Sequence, residues 1–62
     1  MAMKVQVLNI DPSISGQRLL TVGHIYTVAE KHWRSKTLMS VGIKVGKQTV
    51  ALWADQLSVI SV

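Results

Sequence analysis

Leu38-Met39-Ser40-Val41-Gly42-Ile43-Lys44-Val45-Gly46-Lys47-Gln48-Thr49-Val50-Ala51-Leu52-Trp53 is the stretch that decides the fold. Met39, Val41, Ile43 and Val45 alternate with Ser40, Gly42 and Lys44, the two-residue period of a strand with one apolar face. Gly46, Lys47 and Gln48 make a compact turn, so a second strand over residues 49–53 pairs back on the first as a hairpin. Trp53, between Leu52 and Ala54 in this closing strand, is expected to serve the core.

Working outward toward the C-terminus, Ala54, Asp55, Gln56 and Leu57 are too few for an α-helix and predict a single 3-10 turn before a last strand over residues 58–62. That strand is apolar and terminal. If the first strand does not pair it fully, its open edge offers a homodimer contact with a second copy.

Toward the N-terminus the most polar and basic stretch, residues 31–36, reads as a loop carrying Lys31, His32, Trp33, Arg34 and Lys36. Before it, Tyr26 and Val28 alternate with Thr27 and Ala29 in a strand that runs out at Glu30 to His32. Residues 11–23 combine an Asp-Pro turn opening, Ser13, Ser15 and Gly16 with buried-looking Ile14, Leu19 and Leu20, the mark of a long loop folded back on the core. The first strand starts at Met3, with Val5 and Val7 on its apolar face, and ends near Ile10 ahead of Asp11 and Pro12.

Composition supports this all-β reading. Val, Ile and Thr supply 18 of the 62 residues, and their branched side chains lose rotamer freedom in helices and pack well on pleated sheets. With 48% hydrophobic and 16% charged residues, the chain is too apolar to stay disordered. It is also one small domain, and at this length folding removes only about 60% of the unfolded chain's surface from water. Such a thin core, without a cysteine to staple it, must fold economically or gain stability from self-association or a partner.

Seven Lys and Arg against three Asp and Glu leave a net charge of +4, which favours polyanions or an acidic protein face through long-range attraction. The longest apolar run is residues 50–54, far below the roughly 18 residues of a membrane span. No bilayer crossing is expected. The N-terminus lacks the apolar core and cleavage site of a secretory signal, so a cytoplasmic location is the default expectation.

Five strands with a long first connection, a basic second one, a tight hairpin and one helical turn before the last strand give the order of an SH3-like barrel. Leu20-Thr-Val-Gly23-His-Ile-Tyr26-Thr-Val28, followed by Leu52-Trp53-Ala54-Asp55-Gln56-Leu57-Ser58-Val59-Ile60, resembles the small SH3-like barrel proteins of phage and prophage genomes. In those proteins a Leu-x-x-Gly-x-x-Tyr-x-Val segment opens the second strand, and an aromatic, a short turn and a large apolar residue close the barrel. Leu57 stands where they more often carry Phe. The resemblance covers most of the chain from Leu20 onward and implies a phage-type accessory protein that acts by binding, in the cytoplasm of a host bacterium.

Catalysis has little to work with. The carboxylates Asp11, Glu30 and Asp55 sit in different turns or strand ends, and no nucleophile elbow surrounds any serine. His24 and His32 are eight residues apart on one strand, so about 26 Å separates them at roughly 3.3 Å per residue and they cannot share a metal. No enzyme, metal or cofactor is expected. The functional expectation rests on Lys31, His32, Trp33, Arg34 and Lys36, where an indole stands among cations. Trp33 can fill a pocket on a protein partner, a host protein included, while the cations meet an acidic rim. Alternatively it can stack on a nucleic-acid base while the cations neutralise phosphates. The structural alternative is that it folds back to cap a core poor in aromatics. Polyproline recognition is not expected, because residues 11–21 hold no aromatic and one acid.

Overall fold

The computed structural model describes residues 2–62 of the chain. Its strands are β1 (Lys4–Val7), β2 (Ile25–Arg34), β3 (Thr37–Val45), β4 (Gln48–Trp53) and β5 (Leu57–Ser61), with 3-10 turns at Gln17–Leu19 and Ala54–Gln56. They form one five-stranded antiparallel sheet in the order β4-β3-β2-β1-β5. The fold is the all-β, SH3-like barrel that the alternation predicts, with the 3-10 turn before the last strand in place.

Strand β2 builds the barrel because it belongs to both halves. Its first residues pair with β1, Val5 opposite Tyr26, and its later ones pair with β3, from Val28 opposite Ile43 to Arg34 opposite Thr37. Between Val28 and Glu30 the register shifts. An extra residue at such a point bends the strand and tightens its twist, and here it turns the sheet over onto its own apolar face. Met3, Val5, Val7, Leu20, Val28, Val41, Ile43, Val50, Leu52 and Leu57 fill the interior. The Cα radius of gyration is 10.6 Å, and a compact chain of this length is expected at about 10.6 Å. The sheet is curled over this interior rather than flat, with the outer edges of β4 and β5 unpaired.

Closure also needs the long first connection. Gln17, fully buried, donates from Nε2 to the Ala51 carbonyl at 2.8 Å and accepts at Oε1 from the Asp11 N–H at 2.8 Å. Residues 11–23 are thereby fastened to β4, whose outer edge has no strand beside it. This connection carries a 3-10 turn where the sequence predicts loop, and Leu19 in it is half exposed rather than buried.

The strand limits differ from those the alternation predicts. β1 stops at Val7 instead of Ile10, because the N–H groups of Leu8 and Asn9 both donate to the Gln56 carbonyl, at 2.8 and 3.4 Å, and so leave the ladder. The hairpin turn after β3 is two residues long, with Val45 opposite Gln48, and Gly46 has φ of 60°. A positive φ at the first of two turn residues is the pattern that matches the twist of paired strands. At the C-terminus β5 pairs with β1 on one side and has no strand on the other. No helix among the described residues is long and apolar enough to cross a membrane.

Candidate partner-binding site

The basic stretch is not a loop. Lys31, His32, Trp33 and Arg34 are the last four residues of β2, and only Ser35 and Lys36 form the turn. The alternation rule misses this because every residue from Ala29 to Thr37 is exposed, so no apolar face marks the strand. Past His32 opposite Ser40, where the pairing of β4 ends, β2 and β3 continue as a two-stranded ribbon, with Trp33 opposite Leu38 and Arg34 opposite Thr37.

Trp33 is 55% exposed and Trp53 47% exposed. Neither indole caps the core, which corrects the structural role expected of Trp53 and removes the capping alternative for Trp33. The aliphatic interior is sufficient without them. Trp53 is the last residue of β4 and stands opposite Ser40, where the strand leaves the sheet for the Ala54–Gln56 turn.

That departure opens a groove. β3 begins at Thr37, yet its pairing with β4 starts only at Ser40 opposite Trp53. The gap left between the diverging chains has a cavity volume of about 410 Å³ and is lined by Thr37, Leu38, Met39, Trp53, Ala54 and Asp55, within the size range of ligand clefts. Met39 contributes because of a second register shift, between His32 and Trp33 of β2. The extra residue on β3 takes Met39 out of phase with buried Val41 and Ile43, so it is exposed rather than on the core face.

The electrostatics are one-sided near the turn. Among the described residues the one contact of a carboxylate with a basic side chain within 4 Å is His32 Nε2 to Glu30 Oε2 at 3.5 Å, an ion pair only when the imidazole is protonated, and both side chains are more than half exposed. Lys31, Arg34 and Lys36 therefore have no acidic partner within ion-pair reach. Arg34 lies opposite Thr37, and Lys36 precedes it, so two free cations flank one lip of the groove. Asp55 lines the wall contributed by the 3-10 turn. Of the residues singled out in the sequence, Trp33, Arg34 and Lys36 gather near the groove. Lys31 sits further back along β2, opposite Val41, and His32 Nε2 lies 3.5 Å from Glu30 Oε2. Leu38, Met39, Trp53 and Asp55 complete the surface, and nothing in the sequence marks them for it.

No protein-family model, curated protein or solved structure matches this chain. Both indoles, Leu38 and Met39 supply the large, stiff or adaptable apolar area that dominates binding energy at interfaces, and the cations supply a polar rim.

Proposed function

We propose that this protein is a non-catalytic binding module of phage or prophage type. It engages a protein partner through the Trp33 ribbon and the adjoining groove. The observation that carries this reading is the exposure of both tryptophans in a chain that has only two Trp, one Tyr and no Phe. A domain so short of core aromatics gains most by burying them, and leaving about half of each indole in water is what a docking surface requires.

Capture from bacterial lysate by the wild-type chain, by Trp33→Ala and by Trp53→Ala tests it. A protein retained by the first and lost from both variants supports the proposal; identical captured sets from all three, with unchanged circular dichroism, overturn it. Nucleic acid is the second reading, favoured by the unpaired cations and the +4 charge. Its signature is binding of a random oligonucleotide that weakens steeply with salt. Pairing of a second copy at the open edge of β5 is a separate contact, readable as a dimer in sedimentation equilibrium.

A further inference from the structure

We propose that the groove receives an extended acidic peptide segment as an added β-strand on β3 at Leu38, in the place that β4 vacates. The inference rests on the binding-module reading and names the partner's chemistry.

Backbone parity makes the case. A two-residue hairpin closes on a pair that exchanges both hydrogen bonds, here Arg34 and Thr37. The next pair, Trp33 and Leu38, is then non-bonded across the ribbon, so Leu38 points its N–H and C=O away from β2. On that side β4 would continue, but its pairing ends at Trp53 opposite Ser40. The chain then turns, and among the described residues no backbone hydrogen bond joins the Ala54–Gln56 turn to Leu38. A half-buried strand residue is thus left with an open donor and acceptor facing an apolar cleft. Strand addition satisfies both groups, while side chains on alternate positions enter the cleft.

The charge pattern selects the peptide. Arg34 stands opposite Thr37 and Lys36 precedes it, both without an acidic partner, while Asp55 on the turn wall is the one charged residue of the lining, so the acids of a strand lying along β3 gain at its Thr37 end. Glu or Asp there gains two cations; Lys or Arg meets like charge. The cleft walls of Leu38, Met39 and Trp53 ask for a large apolar residue between the acids.

The probe is the peptide Glu-Val-Glu-Trp-Glu-Val-Glu, titrated into the full-length, isotope-labelled protein and followed by amide chemical shifts and hydrogen exchange. Its companions are a version with Lys in place of every Glu and two versions N-methylated along one edge or the other. The expected result is shifts centred on Leu38, Met39 and Trp53, slowed exchange at the Leu38 amide, and loss of binding with only one of the two N-methylated edges. Arg34→Glu together with Lys36→Glu weakens the acidic peptide about tenfold or more.

Equal binding of both methylated forms overturns strand addition, and equal binding of the Lys peptide overturns the charge selection. Shifts centred on β5 place the acceptor edge elsewhere, and binding of single-stranded DNA alone at these residues transfers the groove to nucleic acid. Should the peptide fail while lysate capture still depends on Trp33 and Trp53, this inference falls and the binding-module reading stands. Capture indifferent to both tryptophans removes the two together.

Discussion

Gln17 and Gln56 hold each other by two side-chain hydrogen bonds, Gln17 Nε2 to Gln56 Oε1 at 3.1 Å and Gln56 Nε2 to Gln17 Oε1 at 2.9 Å. Both residues are buried. Gln56 Oε1 also accepts from the Trp53 N–H at 3.1 Å, and Gln17 reaches Asp11 and Ala51. One amide pair therefore joins the first connection, the end of β4 and the last turn, and no buried side-chain N or O among the described residues lacks a partner.

Replacing either glutamine by leucine strands several buried polar groups at once. Gln17→Leu is expected to cost about 2–4 kcal/mol. A domain of this size has only about 3–9 kcal/mol in total. The double replacement Gln17→Leu/Gln56→Leu should cost less than the sum of the singles, since each removes a partner the other needed. Urea denaturation of the three variants checks this, and strict additivity would show that the pair is not a unit.

Ser35 has φ of 55° in the turn between β2 and β3, a conformation glycine adopts freely and a Cβ penalises. Ser35→Gly should raise stability by about 0.5–1 kcal/mol net of glycine's greater freedom when unfolded. The thermal midpoint should rise by a few degrees, and a fall would mean that the serine side chain makes a compensating contact.

A methyl group at Gly42 would stand 2.8 Å from Thr49 Cγ2 and 3.2 Å from Glu30 Cβ. Gly42→Ala should destabilise by about 1–3 kcal/mol through overpacking of the central strand. Adding Thr49→Ser deletes the nearer obstruction and should recover part of the loss. Equal stabilities for the single and double variants would place the strain at Glu30 instead.

The Asp11 carboxylate accepts from the Ser13 hydroxyl at 2.6 Å and the Ser13 N–H at 2.9 Å, and these donors hold it below its ordinary value of 3.8. A carboxyl lowered by folding contributes stability above its unfolded value, and that contribution fades as pH falls through the folded one. The difference in unfolding midpoint between wild type and Ser13→Ala should therefore be constant near neutral pH and shrink below about pH 4. A difference that widens on acidification would contradict the sign.

Much of the barrel is legible in the chain because alternation reports burial directly. Val5 and Val7, Tyr26 and Val28, and Val41 and Ile43 lie on the inner side as their spacing requires, and Gly46 marks the hairpin. The site is less legible. A strand exposed on both faces carries no period, so Lys31 to Arg34 reads as loop, and one extra residue between paired strands moves Met39 to the surface without leaving a trace in composition.

Strand number, strand order along the chain and the tight hairpin were determined by sequence alone, since each depends on neighbours two or three residues away. Three things needed the tertiary structure. They are the partnership of Gln17 with Gln56 across 39 positions, the outward placement of both indoles, and the cleft left where β4 turns away from Leu38. These depend on which distant segments meet when the sheet closes, and local periodicity carries no information about that encounter.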